Sequence, residues 1–311
     1  MNLQEKFSGC LVGLACGDAF GAPYEGGIVE HLLWRLIGSS HDGRKRFTDD
    51  TQMSIDLARS ILTCEGIDQH HLASQFASGY RWSRGYGPGA AHTLKLIRKG
   101  TDWRKAAIAR YPAGSFGNGA AMRAPVVALL TFGQPQSLAE SVKKVSEITH
   151  AHPAAIEGAV LIATAVQCSL NQGSINNFKE QLLAATLSET FRPKLDQALA
   201  WLEKKQRPTS EEIVNRLGNG IAAADSCVTA IFCGLCKIDE PFDSLLNLVA
   251  SFGGDVDTIG SMAGAIWGAF NGLEKIGPML YRQVEQIEGI IMLAEQIFQL
   301  NKRLNENPAQ A

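Results

Sequence analysis

The chain has no excess of one charge, and this absence narrows the partners it can have. Asp plus Glu total 31 and Lys plus Arg total 29 in 311 residues, which gives a net charge of −2. Without a basic excess there is no electrostatic footprint for nucleic acid or for an anionic membrane surface. We therefore expect no nucleic-acid partner.

The chain has one C-x-x-C pair, at residues 233–236, but no second pair to complete a zinc site. A leader pattern and a long uncharged hydrophobic segment are missing as well. The seven cysteines are an odd number and stand mostly in apolar segments, as buried free thiols do, which fits a reducing compartment. Asp18 interrupts the apolar run near the N-terminus, so a secretory leader is not expected. The longest uncharged run, residues 158–178, turns polar at Gln167, too early for a spanning helix. We predict a cytoplasmic protein without a membrane partner.

Strand-like alternation is absent too, and the pattern that the chain does contain is helical. Segments such as residues 53–62, 137–149 and 290–304 place apolar residues at spacings of three and four. With 45% hydrophobic residues the chain can bury a large core, and no linker or repeat divides it. We predict an all-α monomer with one domain over residues 1–304 and a flexible tail over 305–311.

Two stretches place acids where a helical pattern begins. They are T-D-D-T at residues 48–51 and D-V-D-T at residues 255–258. Because Asp is among the best N-cap residues, capping and metal binding are equal interpretations of either stretch alone. Together the two offer more acid than capping requires. Carboxylates and hydroxyls without His or Cys are ligands that suit Mg²⁺ or Mn²⁺.

The metal hypothesis depends on the two stretches meeting in space. Asp49, Asp50, Asp255 and Asp257 would then bring four negative charges together, which is strongly unfavourable at low dielectric. Two divalent cations would neutralise them, so we predict a binuclear centre. The hypothesis fails if Asp50 and Asp257 lie on opposite sides of the molecule.

Five motifs resemble, in order, those of the ADP-ribosylglycohydrolases, and they extend over nearly the whole chain. They are G-x-x-x-G-D-A-x-G-A-P-Y-E (13–25), T-D-D-T (48–51), G-S-F-G-N-G-A-A-M-R (114–123), T-H-A-H-P (149–153) and G-G-D-V-D-T-I-G-S-M-A-G-A (253–265). Five ordered motifs are far more specific than any one of them. The resemblance implies a compact orthogonal helical bundle with two Mg²⁺ or Mn²⁺ ions in a cleft.

The resemblance also implies roles for individual residues. The residues that match the metal ligands are Thr48, Asp49, Asp50, Asp255, Asp257 and Thr258. Glu25 matches the family's catalytic or metal-gating glutamate, and Asp50 and Asp257 are assigned to catalysis as well. The residues expected to contact the substrate are Tyr86, Ser115, Phe116, Gly117, Asn118, Gly119 and His152.

Some of the substrate assignments have a second interpretation. The Gly-rich turn at residues 114–119 offers backbone N–H groups for a pyrophosphate, although such loops are often only tight turns. Tyr86 and Phe116 can stack on adenine or simply anchor their loops. His152 can cap the helix that begins at Pro153, but we favour a contact with ADP-ribose.

The implied reaction is cleavage of the bond between C1″ of ADP-ribose and an acceptor. The expected partner is an ADP-ribosylated protein or a small ADP-ribose conjugate. Such cleavage passes through an oxocarbenium-like state, with Glu25 as a base on the attacking water. Ser115 is closer to the branch that handles O-linked substrates, whereas T-H-A-H-P resembles the arginine-type enzymes, so both linkages stay open. The alternatives are a non-catalytic ADP-ribose binder, a toxin-immunity protein, or a two-metal hydrolase of phosphate esters.

Overall fold

The computed structural model describes residues 2–26, 34 and 37–306, and this part of the chain is helical with no β-strand. Its sixteen α-helices are α1 (Leu3–Gly21), α2 (Asp49–Cys64), α3 (Gln69–Gly79), α4 (Pro88–Arg98), α5 (Trp103–Ile108), α6 (Ala124–Leu130), α7 (Pro135–Ser146), α8 (Pro153–Leu170), α9 (Ile175–Ala185), α10 (Arg192–Glu203), α11 (Ser210–Leu217), α12 (Ala223–Cys236), α13 (Phe242–Ala250), α14 (Val256–Ile276), α15 (Pro278–Tyr281) and α16 (Ile287–Glu306). Short 3₁₀ helices cover Ala22–Tyr24, Trp82–Arg84 and Asn118–Arg123. The predicted all-α fold is confirmed.

Helices α1 and α14 form the centre of the fold because glycines let their backbones touch. Both helices carry glycines at every fourth residue, namely Gly9, Gly13, Gly17 and Gly21 on α1 and Gly260, Gly264, Gly268 and Gly272 on α14. A Cβ atom added to Gly13 would lie 2.2 Å from the carbonyl oxygen of Gly264, closer than any side chain allows. The two helices run antiparallel, so the end of α1 meets the start of α14, where one pair of acids lies.

Helix α8 packs in the interior of the protein. By length and composition it is apolar enough to cross a membrane, with a mean hydropathy of 1.4. However, 72% of this segment is buried inside the protein, where α8 contacts α6, α7, α12 and α14. This burial is typical of the core helix of a globular domain.

The last helix extends slightly further than the sequence predicted. Helix α16 continues to Glu306, and the side-chain amide of Asn305 donates to the carbonyl of Phe132 at 2.9 Å. The helix therefore passes the expected boundary at residue 304 by two residues. Residues 307–311, the rest of the predicted tail, lie outside the described part of the chain.

Most cysteines serve as packing residues, as their sequence context indicates: five are buried and Cys236 is half-buried, whereas Cys64 is exposed. All seven are free. In the C-x-x-C pair, burial raises the pKa of the Cys233 thiol, and the Cys236 thiol donates to the backbone carbonyl of Cys233. Thiols with a raised pKa are poor nucleophiles and poor metal ligands.

Candidate active site

A cleft of about 360 Å³ lies at the N-terminal ends of α2 and α14. Most of the residues that the sequence assigned to function line it. These are Glu25, Asp49, Asp50, Tyr86, Ser115, Gly117, Asn118, Gly119, Asp255, Asp257 and Thr258. Thr48, Phe116 and His152 do not belong to its lining. The lining also includes three residues without an assigned role in the sequence, namely Tyr111, His150 and Ile221.

The two acidic stretches meet at one end of this cleft. The Thr258 hydroxyl donates to Asp50 Oδ1 at 3.4 Å across 208 residues of sequence. One carboxylate oxygen each of Glu25, Asp255 and Asp257 lie within 4.8 Å of one another. We call Asp49, Asp50, Asp255 and Asp257 the acidic cluster. Asp50 and Asp257 therefore lie on the same side of the molecule, as the metal hypothesis requires.

Helix capping does not account for the acids. The N-cap of α2 is Thr48, whose hydroxyl oxygen accepts from the backbone N–H of Asp50 at 3.3 Å. Asp255 occupies the N-cap position of α14 but makes no side-chain capping bond. Asp50 Oδ2 is buried and has no hydrogen-bond partner among the described residues. Asp257 Oδ1 accepts from the backbone N–H of Thr258 at 2.9 Å, but Asp50 Oδ2 is left available for a ligand.

The electrostatics of the acidic cluster favour binding of a cation. Burial, followed by the neighbouring charges of Asp18 and Asp49, raises the pKa of Asp50 well above its ordinary value. Burial and then the charge of Glu25 do the same to the pKa of Asp257. Crowded carboxylates of this kind need either protons or a cation to relieve their repulsion.

The residues present fit a hard divalent cation. The donors are carboxylate and hydroxyl oxygens, and one of them, Asp50 Oδ2, is a buried atom without a partner. Neither His nor Cys belongs to the acidic cluster. Oxygen-only donor sets are those that Mg²⁺ and Mn²⁺ prefer.

Asn118 contacts the acidic cluster through its side-chain amide. Its side-chain amide donates to Asp255 Oδ2 and, at 2.9 Å, to the hydroxyl of Ser226. Its backbone N–H donates to the carbonyl of Ile221 at 3.0 Å, and the N–H of Ala223 donates to Phe116. These bonds fix the Gly-rich loop against the start of α12, so one of the backbone donors expected for a pyrophosphate is already used.

The histidine that lines the cleft is His150, two residues before the one that the sequence favoured. His152 is the N-cap of α8, and its Nδ1 accepts from the backbone N–H of Ala154 at 3.1 Å. Its ring lies edge-on to that of Phe116, with 6.1 Å between centroids. The capping interpretation of His152 therefore describes its observed contacts. No sequence signal separates the two histidines.

Arg123 and Thr149 set the state of His150. Burial, followed by the charge of Arg123, lowers the pKa of His150 to about 3, so the ring is neutral. Arg123 donates to Thr149 Oγ1 at 2.9 Å, and this hydroxyl lies 2.8 Å from His150 Nδ1. Assigned from this pattern, the hydroxyl donates to Nδ1 and the ring proton is on Nε2. Nε2 lies beside Gly117 and Gly119, where it offers a neutral donor to the cleft.

Tyr86 lies near the acidic cluster. Burial, followed by the charge of Asp49, raises the pKa of Tyr86. Its ring packs edge-on to Tyr80, and its hydroxyl is buried without a partner among the described residues. The ring of Tyr111, which lines the cleft, is exposed, and so is that of Phe116, which does not line it. The exposed ring of Tyr111 is therefore better placed than that of Tyr86 to stack on a base.

The sequence profile of one family, described as ADP-ribosylglycohydrolase, matches residues 1–307. The chain belongs to the ADP-ribosylglycohydrolase family. ADP-ribosylhydrolase ARH3 of Bos taurus is 33% identical, over 94% of this chain and 92% of the relative. The protein of the same name from Homo sapiens is 32% identical, over 94% of this chain and 92% of the relative.

A solved structure has the same fold as this family member. It is described as an ADP-ribosylglycohydrolase-related protein complex, with a TM-score of 0.68 over 96% of this chain and 99% of that chain. At 23% identity this likeness shows the fold alone. Membership in the family, together with the similarity to the ARH3 proteins, supports hydrolysis of ADP-ribosyl conjugates as the activity of the cleft.

Proposed function

We propose that this ADP-ribosylglycohydrolase is a divalent-metal-dependent enzyme that cleaves the C1″ glycosidic-type bond of ADP-ribose. The substrate is a protein modified on Arg or Ser, or a small conjugate such as O-acetyl-ADP-ribose. A cytoplasmic location and a monomeric state stay predictions from the sequence.

One observation carries the proposal: the two acidic stretches, whose Asp50 and Asp255 are 205 residues apart in sequence, share one end of a cleft. A neutral hydrogen-bond donor, His150, lines the same cleft. The buried, unpartnered Oδ2 of Asp50 supports a cation site at the acidic end. An ADP-ribose conjugate has the matching chemistry, because its ribose hydroxyls suit metal coordination and its pyrophosphate needs donors.

We assign six residues as ligands of two Mg²⁺ or Mn²⁺ ions. They are Thr48, Asp49, Asp50, Asp255, Asp257 and Thr258. When bound, the ions orient ribose hydroxyls and lower the pKa of water to make a nucleophile near neutral pH. The Thr48 hydroxyl oxygen already accepts the N–H of Asp50, so it contributes through its remaining lone pair.

We assign Glu25 as the base that takes a proton from the attacking water. Its carboxylate lies beside those of Asp255 and Asp257, and it lines the cleft. A base within hydrogen-bond reach of the water assists its attack on C1″. The negative charges of Asp50 and Asp257 stabilise the positive charge that develops on the ribose ring.

The other end of the cleft is suited to the pyrophosphate and the base. His150 stays neutral at physiological pH because its pKa is about 3, so its Nε2–H can donate to a phosphate oxygen without adding a charge. Ser115 and the backbone of Gly119 lie beside it. Phe116 is 56% exposed and is available to cover the adenine.

The test is an assay of three substrates with defined linkages. Arg-linked, Ser-linked and O-acetylated ADP-ribose are each incubated with the full chain in Mg²⁺, and the products are separated by chromatography. We expect free ADP-ribose from at least one substrate, and its loss with excess chelator or in the Asp257→Ala and Glu25→Gln variants. Asp42→Ala is the matched control, because Asp42 is exposed on another loop.

Different products identify the alternative functions. Release of AMP in place of ADP-ribose would indicate a phosphate-ester or pyrophosphate hydrolase. Binding of ADP-ribose without turnover of any substrate would indicate a non-catalytic binder. Release that persists in excess chelator would contradict the metal requirement.

A further inference from the structure

Asp18 is a buried carboxylate that accepts hydrogen bonds from the N-cap and the first turn of α2. It is 0% exposed and lies on α1. Its Oδ1 and Oδ2 accept from the backbone N–H of Thr48 at 2.9 Å and 3.1 Å. Its Oδ2 also accepts from the N–H and the hydroxyl of Thr51, at 3.0 Å and 2.5 Å. The two residues that it holds, Thr48 and Thr51, flank Asp49 and Asp50.

These bonds supply the first turn of α2 with acceptors from another helix. The first N–H groups of a helix have no partner within the helix, and a negative charge there is favourable. In a capping box, a Glu at the third helical position accepts from the N-cap N–H. In α2 the third helical position is Thr51, which has no carboxylate. Asp18, from α1, accepts from the N-cap N–H of Thr48 instead. Asp49 and Asp50 are consequently not needed as acceptors for their own turn.

Helix α1 also fixes the other half of the acidic cluster. A Cβ atom on Gly17 would lie 1.9 Å from the carbonyl oxygen of Gly260, and one on Gly21 would lie 2.6 Å from the Cα of Asp257. The residue between these contacts that faces α2 is Asp18. One turn of α1 therefore sets the position of the α14 acids through its glycines and that of the α2 acids through Asp18.

We propose that Asp18 is a positioning residue that sets the affinity of the acidic cluster for divalent cations without binding the cation itself. The inference rests on the proposed metal dependence. Asp18 holds the backbone on both sides of Asp49 and Asp50, so their carboxylates are oriented before the ion arrives. Loss of a partner of this kind usually costs 10–100-fold in metal affinity.

The experiment compares cation binding by variants of the full chain. Metal is removed with a chelator, and Mg²⁺ is titrated back by isothermal calorimetry into the wild type, Asp18→Asn and Thr51→Val. We expect Asp18→Asn to raise the Kd about 10–100-fold and Thr51→Val to raise it by less. Thr51→Ser, which keeps the hydroxyl, should restore the wild-type Kd.

Asp56→Asn is the matched control. Asp56 is also buried and lies further along α2, but its side chain bonds Gln52 and not the first turn. The Kd of this variant should equal that of the wild type. If Asp18→Asn does not fold, Thr51→Val and Thr51→Ser carry the comparison.

A second readout separates positioning from ligation and catalysis. In the release assay, Asp18→Asn should need more Mg²⁺ for half-maximal rate, yet its kcat at saturating Mg²⁺ should stay within about threefold of the wild type, as expected where only ion affinity has changed. Wild-type Kd values for Asp18→Asn and Thr51→Val, or a kcat that excess Mg²⁺ does not restore, would overturn the proposal. A wild type that binds neither Mg²⁺ nor, in a parallel titration, Mn²⁺ would instead show that the proposed metal dependence is wrong.

Discussion

Asp56 should cost the folded protein stability at neutral pH, and Asp56→Asn should recover it. Its carboxyl is 1% exposed. Oδ1 accepts from the Gln52 amide at 3.2 Å, whereas Oδ2 has no partner among the described residues. A Cβ atom on Gly79 would lie 2.0 Å from Oδ2, so the carboxyl is pressed against the backbone of α3. An Asn at this position keeps the acceptor for Gln52 and removes the buried charge.

The size of the effect follows from the pKa. Burial raises the pKa of Asp56 from 3.8 to about 6. A carboxyl with a raised folded-state pKa destabilises the protein above its unfolded-state pKa, because only the unfolded chain ionises easily there. The penalty is absent below about pH 4, grows up to about pH 6 and is then constant at about 3 kcal/mol. For 311 residues this corresponds to about 5 °C in Tm.

Thermal unfolding of the wild type and of Asp56→Asn from pH 4 to pH 8 tests the reasoning. We expect equal Tm values at pH 4 and a gain of about 5 °C for the variant at pH 8. Asp68→Asn is the control, since Asp68 is exposed and its pKa is lowered by its bond to the N–H of His71. A gain that does not depend on pH, or no gain at pH 8, would refute the assignment of buried charge to Asp56.

Three further predictions concern the acidic cluster, the donor in the cleft and the helix contact at the centre of the fold. Mg²⁺ at about 100 times its Kd should stabilise the wild type by about 2.7 kcal/mol, which is about 4 °C in Tm. In the same thermal-shift measurements the Tm of Asp257→Asn should not change, and equal shifts in both proteins would count against the cation site. In steady-state kinetics, Thr149→Val should raise KM about fivefold, the equivalent of one hydrogen bond of about 1 kcal/mol, with kcat nearly constant. Thr149→Ser, which keeps the hydroxyl, should have the wild-type KM. An unchanged KM in Thr149→Val would exclude the role given to this hydroxyl. Gly13→Ala should lower the free energy of unfolding, measured in urea, by about 1–3 kcal/mol. Gly66→Ala is the control and should leave this free energy unchanged, because its new Cβ would have nothing within 4 Å. Similar losses in both variants would show that the close contact of α1 and α14 is not what limits stability.

The sequence by itself determined the fold class and the residues at the acidic end of the cleft. Helical periodicity is a local property, and so is the preference of Thr and Asp for helix starts, which is why α2 and α14 begin at the two acidic stretches as expected. The surplus of acid over what capping needs is also visible in sequence, since it compares residue types within a few positions. The family motifs then predict that these acids bind metal ions together.

Only the tertiary structure decided which side chains serve those acids. Asp18 looks in sequence like a charge that interrupts an apolar run, and its role appears once α1 lies against the first turn of α2. His150 and His152 are indistinguishable as residue types; one faces the cleft because Arg123 and Thr149 hold its ring, and the other turns to the N-terminus of α8. Asn118 reads as a loop residue for phosphate, yet it holds Asp255. The physical reason is the same in each case: a local pattern fixes which groups need a hydrogen-bond partner, but the partner comes from a distant segment that only the packing of helices brings near.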